Sequence, residues 1–555
     1  MADLFQTQYA LQLTGPDKLV LNTSKEIHRP GPYQILCRVE ACGLCFSDLK
    51  LLKQFSSHVR KGSIVSGIEP EILNEIPSYM PDENPTVPGH ESVVKIAEVG
   101  ANVERFQPGH RYLVQTDYRW LPTTGSNASF GYNFEGGLQE YVLMDERIIT
   151  SPQGESMLIP VSEDISASAA ALIEPWACVE DAYACQERRE IKRDGRMLVA
   201  ADVQLSEDLL IRFLNQYGQP GEIAWVSKQP VPKKLNIPVS KFECLKELQQ
   251  TCFDDIVYFG SESRKIEDLF DLVGAYGLLN IVLCGGKPEG DINAAVGRVH
   301  YGGIRIVGTT GHDPAESMNY IPKTGQIRTN DKINIVGAGG PMGTMNVIRN
   351  ICQGIEGVRV YAGDVDDGRL ETLLQKAKPV AKKYNAEFKI YNANRDKPKG
   401  FDYIVVMVPI PELVSESVDS ANEYGIINIF AGIPADVKAR MDLNAYITKH
   451  LYFIGTSGSV LEDMKRVLRQ VESDRLETNI SVAAVCGLDG ATDGIRAVEK
   501  RKISGKIVVY PACKGLGLTT LEQMKQTMPK VAEGLNEGVW TKDAEEILLK
   551  NYAKP

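Results

Sequence analysis

Lys332-Ile-Asn-Ile-Val-Gly-Ala-Gly-Gly-Pro-Met-Gly343 is the stretch on which the fold turns. Its apolar start reads as a buried strand, its glycines as a tight turn, and Thr344-Met-Asn-Val-Ile-Arg349 as the helix that follows. Glycine lets a backbone turn sharply and approach a pyrophosphate closely. The helix N-terminus then offers free N–H groups and a positive dipole end. The spacing is one residue away from G-x-G-x-x-G. Gly337 and Gly339 take the first two positions, the third falls on Met342, and counting back from Gly343 reaches Gly340 and Ala338. Val358-Arg-Val-Tyr361 reads as the second strand, and Asp364 follows it, 27 residues after Gly337. A carboxylate there accepts from a ribose 2′-OH and repels a 2′-phosphate. The expected cofactor is therefore NAD, held by Gly337, Gly339, Gly340, Met342, Gly343 and Asp364. Taken alone, Asp364 is also one acid of a surface turn shared with Asp366 and Asp367.

Outward from this loop the chain repeats itself. Phe253-Asp-Asp-Ile-Val-Tyr258 recurs as Phe401-Asp-Tyr-Ile-Val-Val406, and Tyr276-Gly-Leu-Leu-Asn-Ile-Val282 as Tyr424-Gly-Ile-Ile-Asn-Ile-Phe430. Ile306-Val-Gly-Thr-Thr-Gly311 recurs as Phe453-Ile-Gly-Thr-Ser-Gly458. The offsets are 148, 148 and 147 residues. Any two parallel sheets share apolar strands, but the constant spacing and the shared Tyr-Gly and Gly-Thr pairs favour a duplicated doubly wound unit. In the first copy the segment matching the glycine loop is Leu198-Val-Ala-Ala-Asp-Val-Gln-Leu-Ser206. Asp202 and branched residues stand where glycines are needed, and a carboxylate there repels pyrophosphate. The first copy is expected to keep the fold without the dinucleotide.

The whole chain has 555 residues, enough for several domains and more than one core. Acidic residues (72) outnumber basic ones (61), for a net charge of -11, which argues against a nucleic-acid partner. With 43% hydrophobic and 24% charged residues, the composition is that of an ordinary globular protein. Eleven cysteines are too sparse for a disulfide scaffold and read as reduced thiols plus a metal ligand. The opening Met1–Ala10 carries neither a basic nor an apolar leader segment, and no apolar run reaches the ~18 residues of a membrane span. A soluble, cytoplasmic protein is expected.

The first 150 residues read as β-rich. Tyr33-Gln-Ile-Leu-Cys-Arg-Val39 and Ser92-Val-Val-Lys-Ile-Ala-Glu-Val99 are strand-like runs separated by Gly and Pro, which suggests a small barrel. Residues 53–86 form a longer excursion, expected as a surface loop. Its His58, Arg60 and Lys61 can meet a phosphate, but a solvated loop face is the favoured reading.

Three motifs carry metal chemistry: Ala41-Cys-Gly-Leu-Cys-Phe-Ser-Asp-Leu49, Val87-Pro-Gly-His-Glu91 and Leu172-Ile-Glu-Pro-Trp-Ala-Cys178. Zinc takes thiolate, imidazole and carboxylate ligands, and a catalytic site keeps one position open. Cys45 and His90 suit it, with Glu91 and Glu174 both open as the third ligand or as an outer carboxylate. Ser47 can carry away a hydroxyl proton, and Asp48 orients the ligands. The blander readings are a Cys42–Cys45 redox pair or zinc knuckle, a core or turn role for His90, and a helix-capping role for Glu174. No second C-x-x-C is present.

With Gly136-Gly-Leu-Gln-Glu-Tyr-Val142 and the glycine loop, these motifs stand in the order G-x-C-x-S-D, G-H-E, E-P, glycine loop. In that order they resemble the zinc-dependent medium-chain alcohol and polyol dehydrogenases. Gly455-Thr-Ser-Gly-Ser-Val-Leu-Glu-Asp-Met-Lys465 looks closest to the sugar- and polyol-phosphate branch, such as sorbitol dehydrogenases and sorbose-1-phosphate reductases.

The resemblance implies an α/β architecture: a GroES-like β-barrel catalytic domain over 1–175, completed by a return at 479–510. It is followed by a degenerate Rossmann domain at 191–325 and an NAD-binding one at 328–478. Two helices, around Leu521–Leu535 and Asp543–Tyr552, are expected in a tail at 511–555. Catalytic roles fall on Cys45, Ser47, Asp48, His90, Glu91 and Glu174, and metal ligation on Cys45, His90, Glu91 and Glu174. One catalytic zinc is expected and no structural one, since no cysteine lies between Cys45 and Cys178. Leu51 cannot extend a proton relay beyond Ser47.

The implied reaction is NAD-dependent hydride transfer between a secondary alcohol (polyol, sugar or their phosphate) and its ketone. The alternatives are a zinc-free reductase and a non-catalytic NAD-sensing scaffold. Partners are a small-molecule substrate, no nucleic acid, no membrane, and either a second copy of the chain or the chain's own tandem copies, paired edge to edge as a pseudo-dimer.

Overall fold

The computed structural model describes residues 6–248 and 251–553. The first five residues of the N-terminal stretch and the last two of the expected tail lie outside the described residues. The chain divides into two compact units: Met1–Cys178 with Ser459–Pro555, and Val179–Gly458.

The first unit is built on a mixed sheet around the long strand Gln34–Gly43. That strand pairs antiparallel with Glu91–Val99, Tyr141–Asp145 and Lys506–Val509. Ile35, Cys37 and Val39 alternate along it into one apolar cluster, as the two-residue strand period requires. Arg111–Val114 and Leu158–Pro160 extend the sheet on one side, and Val482–Cys486 and Thr519–Thr520 on the other. Register matters for the site. Gly43 lies opposite Glu91 on one flank and opposite Val508 on the other.

The tail folds as Leu521–Thr527, Pro529–Ala532 and Lys542–Tyr552. The expected single helix over 521–535 is broken at Met528, because Pro529 lacks the N–H that would continue it. From the last helix Glu545 reaches the start of the helix Ala167–Ala171. Its carboxylate accepts from Ala167 N (2.5 Å), Ser168 N (2.8 Å), Ser168 Oγ (2.8 Å) and Tyr510 Oη (2.8 Å). Trp540 Nε1 in turn donates to Tyr510 Oη at 3.0 Å.

The second unit holds two parallel six-stranded sheets of identical order. The first runs Val239–Lys241, Glu222–Ser227, Arg196–Ala201, Phe253–Phe259, Val273–Val282, Arg305–Thr309. The second runs Glu387–Asn392, Arg359–Asp364, Lys332–Val336, Phe401–Val406, Ala421–Ile429, Tyr452–Ile454. This 3-2-1-4-5-6 order is that of the doubly wound fold. The copies match down to single hydrogen bonds. Asp254 Oδ2 accepts from Arg196 N (2.9 Å) as Asp402 Oδ2 accepts from Lys332 N (2.8 Å). Tyr276 and Tyr424 both take positive φ, 58° and 59°, and both donate their N–H at 2.7 Å, to Gly302 and Lys449.

The copies also differ. The helix Asp367–Lys383 joins the second and third strands of the later copy. The earlier copy runs there through Pro230, Pro232 and Pro238 with no helix among its described residues. The span expected for the later copy, 328–478, is shortened: its last strand is Tyr452–Ile454, its unit ends at Gly458, and the helix Leu461–Glu472 belongs to the other unit.

The two sheets meet at their sixth strands. Ile292–Ala294 pairs antiparallel with Ala439–Met441, and Tyr446 Oη donates to Ile306 O at 2.9 Å. Ile281, Val299 and Ile306 share one apolar cluster with Ile429, Tyr446 and Phe453. Among the described residues no helix is long and apolar enough to cross a membrane.

Candidate active site

The strand pair Gln34–Gly43 and Glu91–Val99 carries the metal motifs at one end. The chain leaves Gly43, turns at Leu44–Cys45 and enters the helix Phe46–Gln54. Asp48 fixes that turn, because its Oδ2 accepts from Cys45 N at 2.9 Å. A side chain on Gly43 would sit 2.1 Å from Glu91 Oε2, so glycine here makes room for the carboxylate.

Ligand atoms of Cys45, His90 and Glu91 lie within 4.8 Å of one another. Asp48 Oδ1 stands 3.1 Å from His90 Nδ1. A carboxylate only accepts, so Nδ1 carries a hydrogen and Nε2 is the nitrogen turned toward Ser47 and the cluster. Ser47 Oγ lies 2.9 Å from Cys45 Sγ and 3.3 Å from His90 Nε2. Glu91 is fully buried; Oε1 pairs with the buried Lys506 at 2.5 Å, while Oε2 has no partner. An unpaired buried carboxylate oxygen beside a thiol and an imidazole suits a divalent cation, since leaving it uncompensated is costly.

Glu174, at the start of the helix Ile173–Ala184, is outside the close group of three. It stays near enough to interact electrostatically with His90, Glu91 and Lys506, and burial pushes its carboxyl up to about 7. Burial opposes a charge on His90, but neighbouring Tyr132 and Asp48 outweigh it and raise the imidazole well above its usual value. Cys42 and Cys45 are both free thiols. Cys42 is packed in the apolar core of the barrel, and burial pushes it up to about 12, which suits neither a redox pair nor a ligand.

The excursion 53–86 does not present a solvated basic face. His58 and Lys61 are buried. Lys61 Nζ donates to the carbonyls of Met80 and Asn84, and Arg60 Nη1 pairs with the buried Asp117 at 2.8 Å. Burial, with the charge of Arg60, presses the His58 imidazole down to about 4, so it is neutral at pH 7. The cause is the aromatic wall these residues pack on: Tyr132 lies between His58 and His90. Sequence reasoning missed Tyr132, Lys506 and Asp117. Their spacing carries no signal, because the barrel's closure alone brings residues so far apart in sequence together.

In the later copy, Gly337 takes φ 85°, and a side chain on Gly343 would lie 2.5 Å from Gly337 O, so the helix Pro341–Cys352 starts tight against the strand. Gly340 is its N-cap, with open space beside it, and Met342 O accepts from Asn346 Nδ2 at 3.0 Å. Asp364 ends the second strand. Its Oδ2 accepts from Gly339 N at 2.9 Å and its Oδ1 from Val365 N at 2.8 Å. In the earlier copy Asp202 is tied to Tyr258 Oη at 2.6 Å and to Lys265, filling the turn that glycines would leave open.

A barrel bearing a Cys–His–Glu cluster, with a parallel sheet bearing a glycine loop, defines the alcohol dehydrogenase class of fold. Residues 31–153 match the alcohol dehydrogenase GroES-like domain. The chain is 26% identical over 249 residues to the protein YggP of Escherichia coli (strain K12), covering 41% of this chain and 58% of that one. It is 28% identical over 153 residues to L-sorbose 1-phosphate reductase of Klebsiella pneumoniae, covering 27% and 36%. The chain thus spans a little over half and about a third of these relatives' lengths. In fold it is similar to 2R,3R-butanediol dehydrogenase from Bacillus subtilis, with a TM-score of 0.53 at 14% identity, covering 91% of this chain and 100% of that one.

Proposed function

We propose that this protein is a single-zinc, NAD-linked oxidoreductase that interconverts a secondary alcohol of the polyol, sugar or sugar-phosphate class with its ketone. The observation that carries the reading is the Cys45–His90–Glu91 cluster, with Asp48 behind His90 and a buried Glu91 oxygen left without a partner. Cys45, His90 and Glu91 would hold the ion, with Glu174 the nearby carboxylate available for exchange. When bound, zinc supplies Lewis acidity to the alcohol oxygen and NAD an acceptor for its hydride.

The protein's own groups do the rest. Asp48 fixes the His90 tautomer and the Cys45 turn together. Ser47 Oγ receives the hydroxyl proton of the substrate and passes it to water. Gly337, Gly339, Gly340, Met342 and Gly343 cradle the pyrophosphate, and Asp364 meets the ribose, favouring NAD over NADP. The earlier copy binds no dinucleotide because Asp202 occupies its loop. The relative named as a sugar-phosphate reductase supports the substrate class. Eleven free cysteines support a reducing, cytoplasmic setting.

The test is a metal assay and an NADH assay on the full chain with a panel of polyols and their phosphates. About one zinc per chain and NADH formation, both lost in Cys45→Ala, are expected. Zinc far below one per chain, or activity unchanged in Cys45→Ala, overturns the reading.

A further inference from the structure

Tyr132 is the group at the candidate site to which zinc and hydride chemistry give no task. Its ring is only 2% exposed. It is wedged between His90, 5.6 Å away between ring centres, and His58, 5.1 Å away. The Arg60 guanidinium lies 5.5 Å from its centre, and its backbone carbonyl accepts from Thr86 Oγ1 at 2.9 Å. No described residue hydrogen-bonds its hydroxyl. The oxygen is not among the side-chain atoms sealed from solvent without a partner, so it is open to a molecule bound at the cluster.

The neighbours say which kind of molecule. A phosphate on this wall needs a cation in surplus. Arg60 is balanced by Asp117 at 2.8 Å. His58 is neutral, and its Nδ1 accepts from Arg60 N at 3.2 Å. Lys61 is fully buried against backbone carbonyls. Arg60, His58 and Lys61 bring the wall no unbalanced positive charge, and Lys50, whose charge is felt at His58, is turned to solvent, so the wall suits a hydroxyl and not an anion.

We propose that Tyr132 is a substrate-binding residue whose hydroxyl pairs with a second, neutral hydroxyl of the substrate, so that the site selects polyols over simple secondary alcohols. This rests on reading the site as an alcohol-oxidising centre. A substrate lacking that hydroxyl leaves the phenol unpaired, the case in which a polar site discriminates most.

Tyr132→Phe keeps the ring between the two imidazoles and removes only the hydroxyl. The measurement is kcat/KM of the zinc-loaded full chain with NAD for 2,3-butanediol against 2-butanol, together with zinc content. The wild type favours the diol, and the variant loses about tenfold of that preference with zinc unchanged. Equal loss on both alcohols, or an unchanged preference, overturns the proposal. If neither alcohol nor any polyol is oxidised, the oxidoreductase reading fails, and calorimetric titration of the zinc-loaded protein with sorbitol decides the present point. Binding lost in Tyr132→Phe supports it; binding equal in the two proteins, or absent from both, overturns it.

Discussion

Asp48 serves two partners with one carboxylate, the N–H of Cys45 and the Nδ1–H of His90. Asparagine at this position accepts through one oxygen only, so Asp48→Asn loses one of the two bonds. Zinc affinity, measured by competition with a chelating dye, is expected to fall about 10- to 100-fold. His58 gives a pH prediction. Its imidazole is lowered from 6.5 to about 4 by burial, so the unfolded chain binds more protons between those values. Stability therefore rises with pH across this window and is lost as pH falls from 6.5 toward 4, by on the order of 3 kcal/mol. Urea unfolding at pH 7, 6, 5 and 4.5 should show a shallower slope for His58→Phe than for the wild type. Cys45, Ser47, Asp48, His90 and Glu91 were legible because they sit within two short motifs that the strand register sets side by side. Tyr132 and Lys506 were not, since nothing local marks them.

At the scale of elements, the C-terminal helix docks through the buried carboxylate of Glu545 as well as through its apolar face and the bond from Lys542 Nζ to Glu163 O. Glu545 satisfies the first N–H groups of Ala167–Ala171, the end of a helix where donors are free and the dipole favours an anion. Glu545→Ala leaves those donors, Ser168 Oγ and Tyr510 Oη without their acceptor, at a cost of about 2 to 4 kcal/mol in urea unfolding. Glu545→Gln recovers part of it. The helices of the tail could be read from their apolar spacing, apart from the break at Pro529. Their docking could not, because it depends on a partner some 380 residues away in sequence. Barrel strands were readable in the same partial sense: runs and turns were visible, but the register placing Gly43 opposite Glu91 was not.

At the scale of the molecule, the duplication was legible because three segment pairs kept their spacing. The edge-to-edge pairing of the two sheets was an expectation that only geometry could test. If the earlier copy is silent, calorimetry gives one NAD per chain, and Gly340→Asp removes all binding, not half. Two NAD per chain would sink that account.

The joining of two sheets within one chain has a further consequence. In a dimer of separate chains every substitution appears twice, and the interface dissolves on dilution. Here the partner is tethered, at an effective concentration fixed by the linker and not by the solution. Each half is also encoded separately. The earlier sheet could therefore exchange its glycines for Asp202 and drop a helix while still supporting the edge of its neighbour, an asymmetry that a homodimer of one shorter chain cannot reach.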